Sequence, residues 1–194
     1  MVFVINMRNN PNTNLYLITI RKKLSKWGFT KKGLLTNAKG EWYLLSQLIL
    51  IILHFLPYWP KTEYLIYQVN ISIIVFGIVI SIKGLIIALK ALLDLGENLS
   101  PLPYPMEESI LIKKHSYKYS RHPLYKGILF ISLGISIFSQ SLIHFFLFIL
   151  LTIVLKFKAL KEEEKLKLKY KEYENYMLEV PAIIKNIKFL DWRF

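Results

Sequence analysis

Apolar and polar positions along this chain fall into long blocks. Four apolar runs stand out: Trp42 to Trp59, Tyr64 to Leu93, Leu124 to Phe138 and Leu142 to Phe157. The first, roughly 18 residues, rises about 27 Å as a helix. Trp42, Tyr43, Tyr58 and Trp59 sit at its ends, where aromatic anchors meet a membrane surface, and Pro57 and Pro60 terminate it. The second run is long enough to span a bilayer with tilt and project beyond it. The third and fourth, separated by Ser139, Gln140 and Ser141, predict a helical hairpin with arms on the order of 22 to 25 Å. The pattern therefore predicts an all-α, polytopic membrane protein of about four transmembrane helices, followed by a cytoplasmic C-terminal helix. A hairpin returns the chain to the face it left, so the residues at Arg121 to Gly127 come back beside Lys156 to Glu164.

Composition agrees with that pattern. Of 194 residues, 54% are hydrophobic, and the net charge is +13. The basic residues alternate with long apolar runs and form no single stripe, which argues against nucleic acid as a partner and for a bilayer. The absence of cysteine excludes disulfides, thiolate metal sites and cysteine nucleophiles. Lys61 is the only Lys or Arg in the two loops predicted to lie outside, so charge asymmetry puts both termini and the loop before Arg121 in the cytoplasm. Residues 1–41 form a basic N-terminal segment. Met1 to Ile20 lacks the order of a secretory signal. Arg21 to Lys39, interrupted by Trp27, Phe29, Leu34 and Leu35, suits either a segment lying along an anionic lipid surface or a solvated basic tail. Residues 42–194 form the membrane domain. Lys83, the one charge inside the second run, lies within snorkelling reach of its basic end. His54 and His144 lie in apolar runs and read as structural, and the four histidines show no metal-ligand spacing.

Candidate chemistry concentrates in Ser120 to Gly127. Pro123 suits the first position of a helix, placing Arg121 and His122 just before it, beside free backbone N–H groups. Such a helix start attracts anions, and a guanidinium fork fits a carboxylate or phosphate. The plain alternative is a juxtamembrane basic cluster. The preceding loop, Asp94 to Tyr119, is kept extended by Pro101, Pro103 and Pro105, as a lid or wall over the helix ends requires. After the hairpin, Ala159 to Glu179 reads as a surface helix supported by Glu163 with Lys167 and Glu162 with Lys165. Alternatively, its carboxylates, returned to Arg121 and His122, form a cleft of opposite charges suited to a zwitterionic ligand.

Three motif blocks lie in order between Asp94 and Pro181, within 94–127 and 159–181. Leu95-Gly96-Glu97-Asn98 with Ser100-Pro101 is the first; Tyr117 with Arg121-His122-Pro123-Leu124-Tyr125 and Gly127 the second; Glu162-Glu163 with Leu166, Tyr170, Tyr173 and Tyr176 the third. Together they resemble the isoprenylcysteine carboxyl methyltransferase family and the related phospholipid methyltransferases. The resemblance implies an integral membrane enzyme that moves a methyl group from S-adenosylmethionine to a lipophilic or small acceptor, such as the carboxylate of an isoprenylcysteine. It implies that His122, with Arg121 and the helix start at Pro123, holds the cofactor's carboxylate end, and that Glu162 or Glu163 holds its ammonium or ribose. Tyr117 and Tyr125 then line the pocket, Gly127 permits close approach, and Arg121 and Glu163 act as catalytic residues. Two departures stand out. His115 replaces a glycine that would serve a positive φ, and the Tyr170 to Tyr173 spacing is one residue short. Two rival readings are an NADPH-dependent membrane reductase of the sterol-reductase kind, which carries a similar Arg-His-Pro stretch, and a non-catalytic membrane scaffold.

Overall fold

The computed structural model describes residues 27, 28, 30–57 and 71–193. Among these residues the chain is all-helical, with no strand. Its helices are α1 (Lys31–Thr36), α2 (Glu41–Leu53), α3 (Ile71–Leu95), α4 (Pro123–Ser139), α5 (Leu142–Lys169) and α6 (Tyr173–Glu179), with single 3₁₀ turns at Gly96–Asn98 and His115–Lys118. The helices at Ile71 and Leu142 are long and apolar enough to cross a membrane. α2 and α4, with 13 and 17 residues, are shorter apolar helices.

Small residues set the closest helix contact. On α3 the buried positions are Gly77, Gly84, Ala88 and Ala91, which share one face. That face lies directly on α4: a Cβ added at Gly84 would meet Ile131 N at 2.6 Å, and one at Gly127 would meet Ala88 N at 2.6 Å. The backbones touch, so no side chain larger than hydrogen fits. The pairs run antiparallel, Gly77 opposite Gly134 and Ala88 opposite Gly127. Around the rest of α3, Phe76, Val79, Ile82, Ile86 and Leu93 point outward, an exposure that only an apolar surrounding makes favourable.

Gln140, in the left-handed region at φ 47°, turns the chain between α4 and α5, and the predicted hairpin forms. α2 packs antiparallel on α5, from Lys158 opposite Gln47 at one end to His144 opposite His54 at the other. The two histidines behave as the sequence reading expects. His54 joins Leu50 O at 2.7 Å and Ser132 Oγ at 2.6 Å, while His144 Nε2 lies 3.2 Å from His54 O. They tie three helices at the end of the bundle remote from Arg121.

The elements differ from expectation in three places. Among its described residues the first apolar run is helical over Glu41–Leu53, because the ring of Pro57 conflicts with the carbonyl of Leu53, four residues back. Tyr58, Trp59, Pro60, Lys61 and residues 64–70 lie outside the described residues, as do residues 1–26 of the basic N-terminal segment. The predicted surface helix from Ala159 to Glu179 is two elements. α5 runs unbroken from the hairpin turn to Lys169, Tyr170 adopts extended backbone, and α6 starts at Tyr173. It is also far from solvated throughout, with Ala159, Glu163, Tyr173 and Tyr176 buried. The break swings Tyr173 and Tyr176 beneath Arg121, where they pack edge to face at 5.8 Å with Val180 beside them.

Beyond α6 the chain crosses back over the start of α4. Arg121 N donates to Pro181 O and His122 N to Ala182 O, each at 2.9 Å, and Ser120 Oγ donates to Ala182 O at 2.8 Å. Ala182, Ile183 and Leu190 join Leu151, Leu155, Ala159 and Tyr125 in the core, burying that junction.

Candidate active site

The arrangement of helices places four chain segments at one end of the bundle: the start of α2, the end of α3, the start of α4 and the second half of α5. The loop of residues 96–119 closes over them. Asn98 staples this loop, accepting from Ile110 N at 2.8 Å and donating to Leu95 O at 3.3 Å. Asp94 holds its far end by accepting from Ser116 N at 3.0 Å. From the other side Lys169 Nζ reaches Glu107 O at 2.9 Å and Ser109 Oγ at 2.8 Å, and the Tyr170 hydroxyl donates to Ser109 O. His115 does adopt a positive φ, 55°, so the turn that glycine would favour is kept by a histidine.

Under the loop lies a cavity of about 200 Å³. Its walls are Tyr104 and Tyr117 from the loop, Arg121, His122, Leu124 and Tyr125 from the start of α4, and Lys158, Glu162 and Leu166 from α5. Tyr170, Tyr173 and Tyr176 follow, with Leu44 and Gln47 opposite on α2. Of the residues singled out in the sequence, Tyr117, Arg121, His122, Tyr125 and Glu162 line it. Pro123, Gly127 and Glu163 do not.

Glu163 sits one layer behind, at the centre of a buried ion cluster. Its carboxylate accepts from Arg121 Nε at 2.7 Å, Arg121 Nη2 at 3.4 Å, His122 Nε2 at 2.9 Å and Trp192 Nε1 at 2.6 Å. Arg121 spends Nη1 on the carbonyls of Met177 and Val180, at 2.8 and 2.5 Å. Its guanidinium is thus almost fully committed to holding α5, α6 and the C-terminal segment together. The backbone N–H groups of Arg121 and His122 are committed as well, to Pro181 and Ala182. The expected anion site made of these groups is therefore replaced by an internal clamp. Pro123 does occupy the first position of α4, which carries no side-chain cap, so the first-turn N–H groups of Leu124 and Tyr125 lack one. Gly127 makes its close approach to Ala88 of α3, serving helix packing.

Glu162 faces the cavity. Its side chain is 29% exposed against 3% for Glu163. It accepts from the Tyr125 hydroxyl at 3.0 Å and lies 3.7 Å from His122 Nδ1. His122 is stacked on Tyr125, ring centroids 5.3 Å apart and nearly parallel, and its ring lies between the two glutamates. The i,i+4 and i,i+3 pairs expected of Glu163 and Glu162 do not form; Glu164 instead takes Lys161 at 3.0 Å and Lys165 at 2.9 Å. Burial pushes the phenols of Tyr117, Tyr173 and Tyr176 up, and all three stay neutral. The buried hydroxyl of Tyr173 has no partner among the described residues.

Sequence reasoning missed Lys158, Gln47 and Trp192. Gln47 is legible as a lone amide in an apolar run, and Lys158 stands four residues before Glu162, on the same helix face. Trp192 lies beyond the last motif block and carries no local signal.

A bundle with lipid-length apolar helices and a cavity of opposed charges at one end is the architecture of a small membrane enzyme. The chain belongs to the phospholipid methyltransferase family, whose profile matches residues 72–173, more than half of its length. It is a membrane methyltransferase. No curated protein and no solved structure matches it. The matched segment contains α3 but for its first residue, the loop, α4 and all of α5; α2 and the C-terminal segment with Trp192 lie outside it.

Proposed function

We propose that the protein transfers a methyl group from S-adenosylmethionine to a membrane-borne acceptor, within the cavity under the 96–119 loop. One observation carries this reading: the family-matched segment supplies the loop, His122, Tyr125 and Glu162, and these meet in one cavity with tyrosine walls. The lining suits the cofactor. A cation is attracted to aromatic faces, and the tyrosines around the cavity offer several. The unpartnered Tyr173 hydroxyl offers a hydrogen bond. Glu162, the carboxylate open to the cavity, would hold an ammonium or ribose hydroxyl. The uncapped start of α4 would hold a carboxylate at the positive end of its dipole.

When bound, S-adenosylmethionine supplies an activated methyl group with its leaving group attached. The protein's task is then alignment and exclusion of water. Glu163 and Arg121 act here as positioning residues. They hold His122 directly, and His122 in turn borders Glu162. Tyr104, Tyr117 and the loop cover the cavity, while Leu44 and Leu124 give it an apolar edge. A carboxylate acceptor needs no base; for an amine acceptor, Glu162 is the group able to take the proton. The charge asymmetry of the loops supports four spans with both termini and the cavity on the cytoplasmic side, α2 and α4 being accommodated by local thinning of the bilayer.

The test is titration calorimetry of the purified protein in detergent, with S-adenosylmethionine and NADPH in separate cells. Saturable binding of S-adenosylmethionine is expected. Binding of NADPH alone would sink the proposal and return the reductase reading.

A further inference from the structure

The segment after α6 carries a surface that the methyl-transfer reading leaves unused. From Ile184 to Phe189 the chain forms a loop closed at its neck. Ile183 N donates to Leu190 O at 3.0 Å, Leu190 N to Ile187 O at 2.7 Å, and Asn186 N to Asp191 Oδ2 at 3.2 Å. Asn186 makes the left-handed turn, at φ 66°. Ile183 and Leu190 are in the core, so a buried neck holds the tip in one shape. Five successive residues of that tip are exposed: Lys185, Asn186, Ile187, Lys188 and Phe189. Ile187 is 47% and Phe189 43% exposed. A loop that faced only water would gain nothing by fixing two large apolar side chains outward.

The place of this tip along α5 tells what covers it. Lys156 Nζ sits 3.7 Å from the centroid of the Phe189 ring. Leu142 to Leu155 contain no Lys, Arg, Asp or Glu, so Lys156 marks the level at which the apolar stretch of α5 ends. Ile149, Ile153 and Phe157 stand at intervals of four on the exposed side of that helix, with Lys156 bordering Ile153. The loop thus continues the apolar surface of α5 at the height of the lipid head groups. Its charge fits them too. Lys185 and Lys188 flank Ile187, and Asp191, the carboxylate nearest in sequence, is taken by Arg193 Nε and Nη2 at 2.8 and 2.7 Å. Leu178, 67% exposed on α6, lacks that match: Glu174 lies one turn before it and Glu179 beside it.

We infer that the 184–189 loop is a membrane-surface anchor: Ile187 and Phe189 enter the lipid interface, while Lys156, Lys185 and Lys188 meet the phosphates of an anionic leaflet. The lipid is here a surface and not a substrate, and none of these residues lines the cavity. The anchor therefore stands or falls apart from the methyl-transfer reading. Two residues beyond the neck, Trp192 reaches Glu163, so the anchor and the buried clamp share one short segment.

The chain has no cysteine, so one introduced thiol carries one label. Ile187→Cys and Leu168→Cys receive the same nitroxide, and each full chain is placed in nanodiscs of phosphatidylcholine with or without phosphatidylglycerol. Leu168, 78% exposed, lies about 18 Å beyond Lys156 along α5 and is the water-facing control. Electron paramagnetic resonance compares collision with oxygen, which concentrates in lipid, against collision with a water-soluble nickel chelate. The ratio of oxygen to nickel collisions is expected to be about threefold or more higher at 187 than at 168, and to rise further with phosphatidylglycerol. Lys185→Gln together with Lys188→Gln removes that rise; both side chains are exposed, so the fold is kept. A label at 187 as open to the nickel chelate as the one at 168, in both lipids, overturns the anchor and leaves the loop to water or a protein partner. A rise that survives the double substitution overturns the part given to the lysines. Absence of S-adenosylmethionine binding would remove the methyl-transfer reading and leave these collision ratios as they are.

Discussion

Glu162 and Glu163 are neighbours in sequence with identical chemistry, and the structure gives them different surroundings, which makes their substitution by glutamine a sharp test. Glu163→Gln keeps the volume but removes the charge that Arg121 Nε, His122 Nε2 and Trp192 Nε1 all address, at 2.7, 2.9 and 2.6 Å. It also turns an amide NH₂ toward donors. Removing one partner of a buried ion pair costs about 3 to 5 kcal/mol, because the remaining charge is left uncompensated. At about 2 to 4 °C per kcal/mol for a chain of this size, the melting point should fall by roughly 6 to 20 °C. Glu162→Gln is different. Its side chain is 29% exposed, and a glutamine carbonyl still accepts from the Tyr125 hydroxyl, so the cost in stability should stay below about 1 kcal/mol. On the proposed reading Glu162→Gln loses a charged contact to the cofactor's ammonium, about 1.5 to 3 kcal/mol, which should weaken S-adenosylmethionine roughly 10- to 100-fold. Tryptophan fluorescence during heating in detergent gives the first quantity and calorimetry the second. A Glu163→Gln chain that melts like wild type, or a Glu162→Gln chain that binds S-adenosylmethionine like wild type, would refute the division of labour.

Four further outcomes follow from the geometry. Trp192→Phe keeps the ring but removes the indole donor to Glu163, and should lower stability by about 1 to 2 kcal/mol in the same melting assay. Gly127→Ala places a Cβ 2.6 Å from Ala88 N and 2.8 Å from its Cα, so α3 and α4 must separate; the cost should be at least about 1 to 3 kcal/mol, read as a lower melting point or loss of detergent-soluble protein. His115→Gly relieves a left-handed residue, about 1 to 2 kcal/mol, against about 0.5 to 1 kcal/mol of extra chain entropy, so it should leave stability unchanged or slightly raise it; clear destabilisation would show that the ring itself matters. Burial raises the folded-state pKa of Tyr117, Tyr173 and Tyr176 above the ordinary 10.0, so above that pH the unfolded chain holds fewer protons and stability falls as pH rises. Melting points should therefore be unaffected by these groups below about pH 10 and decline above it; a flat alkaline limb would contradict their burial.

Which parts of this architecture the sequence could reveal depends on the range of the forces involved. The hairpin was legible because apolar runs and the short break at Ser139 to Ser141 are local, and local signals fix helix ends within a few residues. The meeting of Arg121 and His122 with Glu162 and Glu163 was legible as a topological consequence of that hairpin. The break at Tyr170 was not, since no proline or glycine marks it; what holds the bend is tertiary, the Tyr170 hydroxyl on Ser109 and Tyr173 packed beneath Arg121. The internal engagement of Arg121 was hidden for a related reason. A guanidinium beside a helix start looks like a ligand group until the carbonyls of Met177 and Val180, more than fifty residues away, are seen to occupy it.

The two glutamates show the limit most clearly. Adjacent residues on a helix point about 100° apart, so the two glutamates straddle the His122 ring, Glu162 toward the cavity and Glu163 toward the interior. Periodicity alone decides between them once a fixed reference on the same helix is known. Lys158, Glu162 and Leu166 lie at intervals of four and all line the cavity, whereas Ala159 and Glu163 keep the same interval on the buried face. Had Lys158 been taken as a cavity residue from its place beside the apolar run, Glu162 would have followed as the open carboxylate. Glu163 would then have fallen to the interior, where a carboxylate persists only if cations surround it. The clamp of Arg121, His122 and Trp192 around Glu163 is thus the electrostatic requirement for putting a second glutamate behind the first. It is also what holds His122 and the start of α4 rigid against the cavity.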